Sequence, residues 1–227
     1  MELTWKLAEI VMVNLVLSGD NAVVIAMASR NLPAAQRRFA SMFGCGLAVV
    51  ARLVLSLAAV FLLRVPYVQL LGGILLLWIA AKLLISGEED SRIHSAAKLW
   101  VAVRTIVVAD LVMSLDNTLA IAAVADGHFM LLAAGLLLRV PVIIFGSQVI
   151  SVAMNRFPAV IYVGAGLIAW TAAQMIFDDA RLGYALYSLV STSLEWLLPA
   201  FVATSVLVFG YIRQLGRKQS RKESARA

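Results

Sequence analysis

Seven apolar stretches of about 20 residues run through this chain, and few folds can accept them. They are Leu7–Ala28, Phe39–Leu63, Val68–Ile85, Leu99–Ala125, Phe129–Val152, Ala159–Phe177 and Leu197–Leu215. A helix needs roughly that many apolar residues to cross the hydrocarbon core of a bilayer. Barrel strands alternate in character and are about half as long, so helices are expected. Breakers and charges fill the connectors: Asn31-Leu32-Pro33, Arg64-Val65-Pro66, Gly87 to Asp90, Asp126-Gly127-His128, Arg156-Phe157-Pro158 and Asp178-Asp179. Composition agrees, because 62% of the 227 residues are hydrophobic and 14% are charged, against roughly 45–50% and about 25% in soluble domains. A soluble core of this size could not hide so much apolar surface. Disorder, a nucleic-acid-binding globule and most soluble enzymes are thereby excluded. Ala26-Met27-Ala28 resembles a signal-peptidase site, but Glu9, Asp20 and Asn21 interrupt the would-be leader, so a retained first span is expected.

Charge sets the expected orientation. With seven spans, thirteen Lys and Arg residues fall on one side: Arg30, Arg37, Arg38, Arg92, Lys98, Arg104, Arg156 and six in the tail from Arg213 to Arg226. Only Lys6, Arg64 and Arg181 fall on the other. The positive-inside rule then places the N-terminus outside and the C-terminus in the cytoplasm of a bacterial inner membrane. The net charge of +6 is concentrated in this way and reflects contact with anionic lipid, with no nucleic-acid partner.

The chain repeats itself weakly. Asn14-Leu15-Val16-Leu17-Ser18-Gly19-Asp20-Asn21 aligns with Asp110-Leu111-Val112-Met113-Ser114-Leu115-Asp116-Asn117, and Gly72 through Lys82 aligns with Gly164 through Gln174. Arg52 and Arg139 hold comparable places in the second and fifth spans. Three spans per unit is an odd number, so the second unit would be inverted in the membrane, as in many secondary transporters. The expected architecture is therefore an all-α membrane protein of two inverted three-helix repeats plus a seventh helix. One transmembrane domain covers 1–212, with repeats at 5–86 and 99–178 and the last helix at 197–213, followed by a basic tail at 214–227.

Leaving aside Glu9, Arg104 and Arg213 toward the span ends, six ionisable residues lie within spans: Asp20, Arg52, Lys82, Asp110, Asp116 and Arg139, with charges summing to zero. Each costs about 2.5–3.5 kcal/mol at mid-bilayer unless paired or hydrated. Arg52, Lys82 and Arg139 could serve as ion pairs between helices. Arg139 could neutralise a carboxylate when no cation is bound, and Lys82 could snorkel to the interface. Asp110, Ser114 and Asn117 share one helix face, with Asp116 turned about 120° away. Span one repeats that face as Asn14, Ser18 and Asn21, with Asp20 offset, and Gly19 invites a local break. These oxygen donors suit Mn²⁺, Mg²⁺ or Ca²⁺. No span holds a histidine, and the lone Cys45 has no thiolate partner, which argues against a Zn²⁺, Cu⁺ or Ni²⁺ site. A monovalent cation or a proton relay on the same residues stays open.

The duplicated Ser-x-Asp-Asn string and the seven-span layout resemble the TerC family of integral membrane proteins, in particular its short YjbE/YkoY-type members, over roughly Trp5 to Arg213. The resemblance implies metal-ion transport, chiefly Mn²⁺ efflux. It also implies a cation site made by each Asp-Asn pair with an acidic residue six positions upstream. Asp110, Asp116 and Asn117 match that pattern, as do Asp20 and Asn21, but Asn14 stands where an acid is expected. Three carboxylates and an amide would remain. The expected protein is then a secondary exporter of Mn²⁺, not an enzyme, with no permanent cofactor and with proton coupling as a natural partner process. No Gly-x4-Gly-Lys loop is present to suggest ATP drive. Two alternatives use the same fold: an exporter of a small organic cation such as a basic amino acid, with Trp78 and Trp170 lining its pocket, and a non-transporting membrane assembly factor. Asp178-Asp179 is expected to be a solvated loop pair, or else a vestibule for cations.

Overall fold

The structure is a computed structural model, and it describes residues 19–62, 67–85, 95–125, 129–179 and 196–224. Side chains at 56–62, 95–96, 115–125, 129–136, 138–139 and 214–224 lie outside that description. All regular structure among the described residues is helical: α1 (Gly19–Ser29), α2 (Ala34–Leu62), α3 (Val68–Ile85), α4 (Ser95–Ala125), α5 (Phe129–Arg156), α6 (Ala159–Phe177) and α7 (Leu197–Ser224). By length and composition, Ala34–Leu55, Val68–Ile85 and Ala159–Phe177 are candidates to cross a membrane, and Val140–Arg156 and Leu197–Arg213 are shorter apolar helices.

Two helices, α3 and α6, have the bounds expected from sequence. Most of the others run further. α2 begins at Ala34, five residues ahead of Phe39, α4 begins at Ser95, and α5 ends at Arg156, where Phe157-Pro158 stops it. Hydropathy marks the lipid-covered part of a helix, whereas backbone hydrogen bonding continues into the polar zone until a breaker intervenes. For the same reason α7 continues past Arg213 to Ser224, through most of the expected tail. Residues 7–18 of the first expected span, and with them Asn14 and Ser18, lie outside the described residues.

The helices do not pack repeat by repeat. α2 lies chiefly against α4, and α1 against α5, with further contacts between α1 and α4 and between α2 and α5. These four form one group. In the other, α3 packs on α6 and α7 rests against both. Small residues allow the close approaches, as is usual where lipid supplies no hydrophobic drive. A side chain at Gly44 of α2 would touch Ile106 of α4, one at Gly73 would meet Ala172 and Ile176 of α6, and one at Gly210 of α7 would collide with Leu84. Between the groups runs an apolar layer in which Val23, Met27, Ala109 and Val112 face Leu76, Ala80, Ile168 and Ala172. Gly164 of α6 lies within it, open to Val23 and Met27.

Some hydroxyls in this setting are satisfied locally. Thr204 and Ser205 donate back to the carbonyls of Ala200 and Phe201 at 2.7 Å. Arg37 does more than bias orientation. Its Nη1 donates to Ser151 Oγ of α5 at 2.8 Å, and its Nη2 donates to the carbonyls of Arg30 and Leu32 at 3.0 and 3.3 Å. It thereby closes the exposed carbonyl end of α1 and ties the α1–α2 turn to α5.

Asp179 corrects the expectation for the Asp178-Asp179 pair. It is 3% exposed, and its Oδ2 accepts the N–H of Leu70 at 3.2 Å. That amide is one of the orphan donors in the first turn of α3. The residue preceding the helix is Tyr67, in the left-handed region at φ 64°, with no oxygen near enough to cap. A carboxylate at the end of α6 supplies the cap from another element and favours the positive end of the α3 dipole. Replacing Asp179 with alanine is expected to lower stability by about 0.5–2 kcal/mol, read as a shift in unfolding of the detergent-solubilised protein, with asparagine retaining most of the effect.

Candidate functional site: a buried carboxylate pocket

The four-helix group encloses a small cavity of about 20 Å³ lined by Ile25, Cys45, Ala48, Val49, Arg52, Ile106, Asp110, Val140 and Ile143. Space of that size holds about one water or a stripped ion. Arg52 of α2 is 2% exposed, and its Nη2 lies 3.3 Å from Oδ2 of Asp110 on α4, whose exposure is 13%. The same nitrogen donates to the Asp110 carbonyl oxygen at 3.4 Å. Asp20 of α1 is within electrostatic reach of both Asp110 and Arg52. Its Oδ1 accepts the backbone N–H of Asn21 at 2.7 Å and the Asn21 side-chain amide at 3.0 Å. Asn21 is itself buried. Ser114, one turn beyond Asp110, is fully buried and donates to the Leu111 carbonyl at 2.8 Å. Two carboxylates from two helices, one guanidinium and one amide thus lie within electrostatic reach of one another inside an apolar bundle.

A family model described as integral membrane protein TerC family matches residues 2–220. The chain belongs to the TerC family. Membrane protein YjbE of Bacillus subtilis (strain 168) is 46% identical to it over 211 residues, 92% of this chain and 96% of that protein. The inner membrane protein YgdQ of Escherichia coli (strain K12), of the group UPF0053, is 29% identical over 76% of this chain and 80% of its own length. YkoY of B. subtilis (strain 168) is 25% identical over 96% of this chain and 75% of its own. No solved structure matches. This TerC protein is accordingly a multi-pass integral membrane protein.

Of the residues singled out by sequence, the structure of this TerC protein brings Asp20, Asn21, Arg52 and Asp110 into one neighbourhood, with Ser114 a turn away. Asp116, Asn117 and Arg139 lie on α4 and α5, but their side chains are outside the description. Among the described residues no three Asp, Glu, His or Cys side chains converge as a metal cluster. Lys82 is not brought to the pocket. It lies exposed on α3 with its ammonium 4.8 Å above the Trp78 ring, the snorkelling arrangement. Neither tryptophan proposed for an organic-cation pocket lines the cavity: Trp78 is 58% exposed beneath Lys82, and Trp170 packs on Trp196 at 6.1 Å.

Two features were missed. Cys45 lines the same cavity as Asp110, a place that the lack of a partner thiolate does not reveal. Its spacing from Ala48, Val49 and Arg52, three, four and seven residues, puts all four on one face of α2, which is a signal the sequence does carry. Pro141 lies within α5 beside the cavity-lining Val140. A proline there has no N–H for the Leu137 carbonyl, and both residues lie on the exposed side of α5.

Proposed function

We propose that this TerC protein is a secondary transporter that exports a divalent cation, Mn²⁺ first, from the bacterial cytoplasm across the inner membrane. The observation that carries the reading is that Asp20 and Asp110, on helices related by the sequence repeat, lie within electrostatic reach of each other and of Arg52, which lines a small pocket with Asp110. Two carboxylates inside an apolar bundle need a counter-charge, and hard oxygen donors select Mn²⁺, Mg²⁺ or Ca²⁺ over softer ions. The cavity's size supports a stripped ion over an amino acid. Asp116 and Asn117 complete the donor set in this reading, with Ser114 as a support.

The inverted repeat is part of the proposal. Exchanging α1 with α4, α2 with α5 and α3 with α6 turns the principal pairings into one another: α2 on α4 becomes α5 on α1, and α3 on α6 is unchanged. Such a pattern is what a pseudo-twofold axis in the membrane plane produces. It also recasts the motion. Because the repeats interleave, the bodies that move are the four-helix group holding the pocket and the three-helix group of α3, α6 and α7. We place the N-terminus outside and the C-terminus in the cytoplasm on the charge bias.

Expression in a host lacking its own manganese exporter is expected to lower cell manganese several-fold by elemental analysis, and Asp116→Asn to cancel that effect. Unchanged metal across a panel of Mn²⁺, Mg²⁺ and Ca²⁺ would refute the export reading.

A further inference from the structure

We infer that Arg52 is a tethered stand-in for the exported cation, occupying Asp110 when the site is empty so that the carrier can return without taking up a counter-ion at that residue. This rests on the export reading above. Arg52 Nη2 addresses both Oδ2 and the main-chain oxygen of Asp110, at 3.3 and 3.4 Å, which are two oxygens of the kind a hard cation would take. A buried pair that serves only as glue needs close, bidentate geometry to offset desolvation. Here a single nitrogen faces Asp110, at a separation longer than the roughly 2.7–2.9 Å of a tight charge-assisted bond. The pair is loose, and it borders a cavity instead of solid packing.

Arg52 is 2% exposed in this arrangement of the helices. When a cation displaces it, the guanidinium folds back along its own helix. Side chains on a helix lean toward the N-terminus, and there the neighbours on its face are Val49, Ala48 and Cys45, which line the cavity. An Asp110 left bare after the cation departs would be an unpaired buried charge, which is strongly unfavourable. Either a proton or Arg52 must cover it. Arg52 is already in place, is permanently charged, and moves a short distance.

The test uses the full chain in proteoliposomes with Mn²⁺ as the probe. Arg52→Gln is expected to bind Mn²⁺ at least tenfold more tightly, because no internal cation competes. Net efflux into Mn²⁺-free medium should fall at least tenfold, and the remainder should rise as the release side is acidified, since a proton must now cover Asp110. Mn²⁺/Mn²⁺ exchange should persist, because that cycle never returns empty. Arg52→Lys should recover part of the net flux. Folded Arg52→Gln that keeps full net efflux, or that loses exchange and net flux together, would overturn the inference while leaving the export reading intact. Wild-type protein that moves no Mn²⁺ would overturn both. Should the variant not fold, the wild type decides. Saturating Mn²⁺ is expected to slow modification of Cys45 by a small methanethiosulfonate at least twofold as the guanidinium folds over it, and an unchanged rate counts against the stand-in.

Discussion

Asparagine in place of Asp110 is expected to abolish metal efflux and to destabilise the protein by about 3–5 kcal/mol, the usual cost of breaking one side of a buried pair. The destabilisation follows from an asymmetry between the partners. Arg52 is 2% exposed and cannot shed its proton, so Asp110→Asn takes a carboxylate away from a buried group that stays charged. Asp110, left by Arg52→Gln, can take up a proton and become neutral. The arginine variant should therefore unfold closer to wild type than the aspartate variant does. The double variant Arg52→Gln/Asp110→Asn removes both charges, and such replacements are often neutral or stabilising. It should recover the unfolding midpoint of the wild type in detergent while remaining unable to lower cell manganese. A double variant as unstable as Asp110→Asn would show that packing around α2 and α4, and not charge, sets the cost.

Disulfides placed between helices should separate the two moving groups. With Cys45 replaced by serine, cysteines at Gly44 and Ile106 join α2 to α4 inside the four-helix group, where the two β-carbons lie about 3.3 Å apart. Cysteines at Val23 and Gly164 join α1 to α6 across the apolar layer, where a side chain on Gly164 would touch Val23. Both sites are near the separation a disulfide needs, about 3.5–4.5 Å between β-carbons. The first bridge is expected to leave Mn²⁺ efflux within about twofold of the reduced protein. The second should stop it almost completely, with reductant restoring flux. Both bridges connect one sequence repeat to the other. If the repeats themselves rocked as rigid units, the α2–α4 bridge would block transport as severely as the α1–α6 bridge, so its effect decides between the two motions.

Much of the fold can be read from the chain, for definite reasons. α3 and α6 carry unbroken apolar sequence, and prolines at 66 and 158 stand just before them, so pattern and structure end together. The early start of α2 escapes a hydropathy reading, because Gln36, Arg37 and Arg38 are polar and yet helical, with Arg37 held by contacts to α1 and α5 that no local pattern encodes. In the candidate site the same division holds. Asp20 and Asp110 declare themselves, since a carboxylate in lipid needs a reason. Which cation faces Asp110 does not, because Arg52 is 58 residues away and only helix packing joins them. Snorkelling of Lys82 is legible too: Trp78 lies four residues earlier on the same face, and a ring one turn away is a ready seat for an ammonium. Asp179 is not, since its partner is a backbone amide 109 residues earlier.

The interleaving of the helices also sets an order of assembly. α2 finds its main partner in α4 and α3 finds its own in α6, so the first three helices enter the membrane before the surfaces that complete them exist. Arg52 must wait for Asp110, 58 residues further on, which at about 5–20 residues per second is about 3–12 s of synthesis. During that interval a guanidinium lies in or beside the bilayer without the acid it will later hold. The insertion machinery, or the lipid headgroups within reach of a long side chain, must shelter it until α4 arrives.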